Sequence, residues 1–266
     1  FKNKLEITHI RDAIFKEYGV KDIRFSDFSR QLDIYCHGGI YEEWFSGECE
    51  FSMEKDAMAV EFKGVENHPE LRDPLVMLLL YHIGKVMYST DTTKPKIQII
   101  FDEAHRFLGK NPRMDDFIEQ AYRRARKFDG SIILATQGFS DIYDSEGGLS
   151  RAGKTIIDNS AWKFFMNQQE TSTNLLLSSG IFSFDDIDKK IIRKIRTQKR
   201  EYSEIFCINS SNVKMSLRLL MPTFFYYLTT TDGTDKKLIA SIMNEHNCSK
   251  MEAIKIIVRE KEKASA

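Results

Sequence analysis

The segment Ile97-Gln98-Ile99-Ile100-Phe101-Asp102-Glu103-Ala104-His105 leaves few folds open, because a short apolar run breaks off at two adjacent carboxylates. Apolar runs of this length are typical of strands buried on both faces of a parallel sheet, and α/β proteins bind their ligands at the carboxyl ends of such strands. One carboxylate placed there can hold Mg²⁺ through its water shell, while the next orients a water for in-line attack on a γ-phosphate. Asp102 is therefore expected to serve the metal and Glu103 to polarise the water. The same letters also describe a strand running into an acidic helix start, where the helix dipole favours Asp and Glu.

A second strand, Ser131-Ile132-Ile133-Leu134-Ala135-Thr136, ends in Gln137. Were the two strands parallel neighbours, that amide would stand beside the acid pair and could report on the γ-phosphate. Alone it reads equally as a polar residue capping a loop. Between the strands lies Tyr122-Arg123-Arg124-Ala125-Arg126-Lys127. Arg123 and Arg126 share a helix face at their i, i+3 spacing. In ring ATPases an arginine of one subunit completes its neighbour's site, so Arg123, Arg126 or Lys127 is a candidate for that task. A basic helix C-terminus favoured by the dipole is the plainer alternative.

Around these strands the pattern alternates. A strand-like Ala57-Met58-Ala59-Val60-Glu61-Phe62 precedes a helical run from Leu71 to Tyr88, and a helix from about Met114 to Lys127 separates the two strands above. Further strands are expected at Trp162 to Met166, Ile205 to Ile208 and Leu217 to Leu220. Short strands separated by helix-length segments indicate right-handed crossovers and a mostly parallel sheet. The first fifty residues differ. Their helical patches, glycine turns and aromatics Phe25, Phe28, Tyr35, Tyr41, Trp44 and Phe45 describe a small helical subdomain with its own core.

Composition narrows function mainly by exclusion. The 39 basic and 39 acidic residues balance, so the overall field gives no reason to expect nucleic-acid or anionic-membrane binding, and any such contact must be local. Cys36, Cys49, Cys207 and Cys248 are too scattered for a zinc site and read as reduced thiols of a cytoplasmic protein. The apolar stretch Leu75 to Ile83 is about half of what a bilayer crossing needs. One motif invites a false reading: Gly148-Leu149-Ser150-Arg151-Ala152-Gly153-Lys154-Thr155 fits G-x-x-x-x-G-K-[ST] letter for letter. A phosphate loop must join a buried strand directly to a helix, and here polar, turn-like residues come first.

Taken in order, Ile99-Ile100-Phe101-Asp102-Glu103-Ala104-His105, Ala121 to Phe128, Ala135-Thr136-Gln137, Asn159 to Phe164 with Gln168, and Arg200-Glu201-Tyr202-Ser203-Glu204-Ile205 resemble the TraC-like conjugative pilus-assembly ATPases of type IV secretion. The resemblance covers about residues 50 to 235. It implies an α/β fold, a RecA-like three-layer domain of the FtsK-HerA type with a mostly parallel central sheet, plus a small all-helical subdomain at the N-terminus. Residues 1–50 would end a helical insertion, 51–235 form the ATPase core, and 236–266 add C-terminal helices. It places Asp102 and Glu103 at the Walker B positions, Gln137 at the sensor position and a trans-acting arginine at or near Arg126. ATP and Mg²⁺ are the implied cofactors. A hexameric homo-oligomer is implied, cytoplasmic and peripheral to the bacterial inner membrane beside other secretion components. Phe1 is not Met, and the family's phosphate loop belongs upstream of the helical insertion, so the chain reads as a C-terminal piece that binds nucleotide poorly by itself. Two other readings are a double-stranded DNA translocase of the coupling-protein type and a non-catalytic docking module. Helicases that share Asp-Glu-Ala-His carry a late Q-R-x-G-R motif, and this sequence has none.

Overall fold

The computed structural model describes residues 6–47, 55–89, 96–106, 108–109, 112–144 and 147–265. The chain divides into two compact units, Phe1–Lys96 and Ile97–Ala266. The boundary expected near residue 50, and Cys49 with it, fall outside the described residues.

The first unit is helical among its described residues: α1 (Ile7–Ile14), α2 (Ile23–Leu32), α3 (Glu42–Phe45) and α4 (Pro69–Met87). Asp22 caps α2 by accepting from the Arg24 amide at 2.9 Å, and Pro69 opens α4, where a missing N–H costs nothing. Tyr41, Val65 and Leu71 form a small core, with Tyr35 and Phe45 packed against it. Trp44, grouped with Tyr41 and Phe45 by its spacing, instead points outward. Pro74 sits inside α4 and cannot donate to the Glu70 carbonyl one turn back. That carbonyl is recovered by the Tyr35 hydroxyl, which donates to it at 2.5 Å, while the Tyr41 hydroxyl donates to the Glu70 carboxylate at 2.6 Å. The expected strand Ala57–Phe62 does not form. Its residues carry no strand assignment, and Ala57 to Glu61 are exposed, so β propensity goes unused where no strand among the described residues pairs with it.

The second unit carries every strand described. In chain order it runs β1 (Gln98–Phe101), α5 (Pro112–Arg124), β2 (Ser131–Leu134), α6 (Arg151–Asn159), β3 (Trp162–Phe165), α7 (Glu170–Ser178) and α8 (Asp186–Lys194). Then follow β4 (Thr197–Gln198), β5 (Tyr202–Asn209), β6 (Lys214–Leu219), α9 (Thr223–Thr229), α10 (Gly233–His246) and α11 (Lys250–Ser265). β1 and β2 pair in parallel with Gln98 opposite Ser131 and Phe101 opposite Leu134. The α/β class holds, but among the described residues parallel pairing is confined to these two strands. β3, β4, β5 and β6 form a separate antiparallel sheet, in which β6 takes one edge of β5 and β3 and β4 share the other. Periodicity registers strand and helix but not strand direction, which explains the difference.

Buried positions explain the packing. On α5 the residues Met114, Ile118 and Ala121 recur at i, i+4, i+7 and are buried. In the antiparallel sheet, Phe165 and Phe206 turn inward against Phe182 and Phe184, with Phe165 edge-on to Phe182 at 5.5 Å and Phe184 edge-on to Phe206 at 6.0 Å. The last three helices bury Tyr227, Ile239, Ile242, Ala253, Ile254 and Ile257 together. The β4–β5 turn fastens them: Lys199 pairs with Asp232 at 2.7 Å, and Arg200 pairs with the fully buried Asp235, which also accepts from the Tyr226 hydroxyl at 2.8 Å.

Candidate functional site

β1 ends at Phe101, and its parallel register with β2 carries on for one more step. The Ala135 amide donates to the Phe101 carbonyl at 2.8 Å, and the Ala104 amide donates to the Ala135 carbonyl at 2.9 Å. The chain after each strand is thereby stitched to the other. Asp102 and Glu103 stand on one side of this seam and Gln137 on the other, at the same end of the pair.

The turn that presents the acids is tight. Glu103 has φ 50°, a left-handed conformation that a side chain with a Cβ adopts only under constraint from its surroundings. The Asp102 carboxylate accepts from the Glu103 amide at 2.9 Å through Oδ1, and Asp102 is exposed. The Glu103 carboxylate pairs with the Arg106 guanidinium at 2.6 Å, both side chains being less than half exposed at 44% and 43% relative to full exposure in a free chain. An all-oxygen, carboxylate donor at a sheet edge suits a hard divalent cation such as Mg²⁺.

Across the seam the loop after β2 is organised by Asp141. One oxygen of its carboxylate, Oδ2, accepts from the Thr136 hydroxyl, from the Gln137 amide at 3.1 Å and from the Gly138 amide at 3.0 Å. This fixes the Gln137 backbone and leaves its side chain exposed. Gln168 supports the same loop, its Oε1 accepting from the Phe139 amide at 3.0 Å and the Ser172 hydroxyl at 2.8 Å.

The basic candidates lie elsewhere. The Ser131 amide donates to the Ile97 carbonyl at 2.9 Å, so the turn Ala125–Phe128 that carries Arg126 and Lys127 meets the pair at its opposite end. Both residues are exposed, and the Lys127 ammonium lies 5.8 Å from the Phe128 ring. Arg123, in the last turn of α5, pairs with Glu119 at 2.7 Å. Within one chain the fold does not bring Arg123, Arg126 or Lys127 to Glu103.

A family model described as the TraG P-loop domain matches residues 7–261. The chain belongs to this family. TraG P-loop domains are a P-loop class, built to handle nucleotide phosphates with a divalent cation. Among its relatives, Protein TraC of Escherichia coli (strain K12) is 28% identical over 211 residues, which is 78% of this chain and 24% of TraC. Among solved structures, VirB4 of Thermoanaerobacter pseudethanolicus superposes with a TM-score of 0.61 at 14% identity, over 81% of this chain and 55% of that one. At that identity the likeness concerns the fold. The chain thus spans about a quarter of TraC and about half of the VirB4 chain.

Within this TraG P-loop domain the Gly148–Thr155 match is not built as a phosphate cradle. It follows the turn Phe139–Ile142 and a single bridge between Tyr143 and Leu149 instead of a strand. Ser150 caps α6, its hydroxyl accepting from the Gly153 amide at 2.9 Å and its carbonyl from the Lys154 amide at 2.8 Å, so two of the first-turn amides are already engaged. Gly153 is there for a different reason: a Cβ at this position would lie 2.2 Å from the Ile142 carbonyl oxygen.

Three residues that hold the candidate groups in place escaped the sequence reading. Arg106 carries a visible signal, since its i, i+3 spacing from Glu103 suits an ion pair. Asp141 has a weaker one, an acid shortly after a strand end. Glu119 gives none, because a carboxylate beside Ile118 looks like the polar flank of α5 yet is buried. Among the described residues no cluster of His, Cys, Asp and Glu could hold a metal ion by itself, and no helix is long and apolar enough to cross a membrane.

Proposed function

We propose that this chain contributes the Walker B half of an ATP-hydrolysing motor of conjugative type IV secretion, which drives pilus assembly and substrate transfer. The observation that carries the reading is the parallel pairing of β1 with β2, which sets Asp102, Glu103 and Gln137 along one edge. Membership of a P-loop family and the likeness to TraC support it.

In this mechanism Asp102 would hold Mg²⁺ through its water shell, and the metal, when bound, would supply charge neutralisation to the nucleotide phosphates. Glu103 polarises the attacking water, its left-handed turn holding the carboxylate out beyond the strand end. Arg106, paired with that carboxylate at 2.6 Å, keeps it aimed before ATP arrives. Gln137 contacts the γ-phosphate, and Asp141 keeps its backbone in place. The phosphate cradle comes from residues other than Gly148–Thr155, where the Gly153 and Lys154 amides are committed to Ser150, so this chain by itself binds ATP weakly. Arg123, Arg126 and Lys127 lie at the far end of the strands and serve the nucleotide of an adjacent copy in a hexameric ring at the inner membrane. Residues 1–50 belong to a helical insertion, 51–235 to the ATPase core and 236–266 to terminal helices.

The test is Glu103→Gln in the full-length protein. Removing the group that activates the nucleophile should lower ATP turnover by about 10²–10⁴-fold while ATP affinity stays near wild type. Unchanged turnover would remove Glu103 from the mechanism and the motor reading with it.

A further inference from the structure

We propose that the cleft between α5 and α6 is a polyphosphate-binding site whose two guanidinium groups, Arg123 and Arg151, are held in place by the buried carboxylate of Glu119. The cleft has a volume of about 440 Å³ and is lined by Arg123, Arg151, Lys154, Thr155, Asp158 and Asn159, three cations against one carboxylate. That volume lies within the range of small-ligand sites, roughly 300–1,000 Å³, and accommodates a triphosphate.

Glu119 is what makes this more than a basic surface. Its side chain is only 6% exposed and lies beneath two cations: Oε1 pairs with Arg123 Nη2 at 2.7 Å and Oε2 with Arg151 Nε at 2.6 Å. Burying a carboxylate is expensive, and apolar packing usually joins two helices at lower cost. What this arrangement gains is orientation. Each guanidinium spends part of its donor fork on Glu119 and keeps other N–H groups, on side chains 62% and 76% exposed, for an anion in the cleft. An anion then meets two forks already ordered, so little side-chain entropy is lost on binding. Asp116 lies 3.5 Å from Arg151 Nη1 and tempers the field, as does Asp158 on the lining.

The segment that imitates a phosphate loop therefore presents side chains to the cleft, Arg151 and Lys154, where a phosphate loop would present amides. The compact bracket favours a small polyphosphate over a nucleic-acid backbone, which takes an extended basic stripe, and the chain's balanced charge agrees with this. Where the triphosphate belongs to ATP on an adjacent copy, the inference rests on the motor reading above and adds Arg151 as a second trans cation and Glu119 as a positioning residue.

The test titrates this chain with inorganic triphosphate at low salt, following the arginine Nε–H resonances by ¹⁵N-edited NMR. Wild type should saturate, and Arg123→Ala and Arg151→Ala should each weaken binding about tenfold, the loss of one charge-assisted contact. Arg151→Lys should restore little of it, because an ammonium lacks the planar fork. Glu119→Gln should collapse the shift difference of the Arg151 Nε–H and weaken binding; if it fails to fold, the two exposed arginine variants still decide the matter. No saturation, wild-type affinity in Arg151→Ala, or displacement of triphosphate by duplex DNA at equal phosphate concentration would each overturn the assignment. In the assembled full-length protein, Arg151→Ala should lower ATP turnover with KM held. Tight triphosphate binding with unaltered turnover would keep the cleft and refute the trans role, so the two readings fail separately.

Discussion

Replacing Gly153 by Ala asks what the third residue of α6 is for. A Cβ there would stand 2.2 Å from the Ile142 carbonyl oxygen and 3.0 Å from Ser150 Oγ. The nearer contact is well inside any tolerated approach, so the helix start must withdraw by about 1 Å, as overpacked sites do. The same carbonyl accepts from the Ser150 amide at 3.0 Å, and that bond lengthens out of range with the shift. Overpacking costs about 1–3 kcal/mol and the bond about 1 kcal/mol, while the better helix propensity of Ala returns about 1 kcal/mol. The expected net is a loss of about 1–3 kcal/mol, a fall of roughly 2–10 °C in Tm for a protein of this size, measured by thermal and urea denaturation. Lys154→Ala, at an exposed position, should leave stability within about 0.5 kcal/mol of wild type. Wild-type or higher stability in Gly153→Ala would refute the argument that close packing against Ile142 explains the glycine.

Tyr35→Phe should cost about 1–2 kcal/mol in the first unit, since it orphans the Glu70 carbonyl that Pro74 already leaves without a helical donor; an unchanged urea midpoint would mean that water replaces the hydroxyl. At the other end of the chain, Arg200→Met removes the cation over the fully buried Asp235, and about 1.5–3 kcal/mol should be lost from the packing of the last three helices, read by hydrogen exchange in α10. The same latch sets an acid limit. The Lys199 ammonium and the amides of the α10 start bring the Asp232 carboxyl down from 3.8 to about 2. Burial raises the Asp235 carboxyl, but Tyr226 and Arg200 more than offset this and leave it lowered too. With both folded-state values depressed, the latch is intact above about pH 4 and weakens as pH falls through about 2, so protection of α10 should fade in that window and not on the alkaline side.

How much of this was legible depends on whether a signal was local. β1, β2, α4 and α5 announce themselves by periodicity, and Asp102, Glu103 and Gln137 by their place at strand ends, because position along a strand determines which edge a residue reaches. Strand direction is set by tertiary pairing, so the antiparallel assembly around β5 could not be read from Trp162-Lys163-Phe164-Phe165 or from Tyr202 to Ile208. Ala57 to Phe62 shows the converse: propensity without a neighbouring strand yields no strand. The Glu119 bracket was invisible for a third reason. Its partner Arg151 lies on another helix, and only packing of α6 against α5 turns a surface-like carboxylate into a buried one.

The two ends of the β1–β2 pair divide the chemistry between them. Groups that suit an activated water and a metal, Asp102 and Glu103, stand at the carboxyl end, and the basic residues Arg126 and Lys127 lie on the turn before β2, at the other. A single crossover through α5 is enough to cause this, since a crossover helix must return the chain to the start of the next strand. A lone copy with such a layout cannot close Arg126 over its own acid pair without dismantling α5. Separation within the chain is thus a physical reason to look for the missing charge on a neighbour, and on the polyphosphate proposal Glu119 would hold Arg123 and Arg151 ready for it.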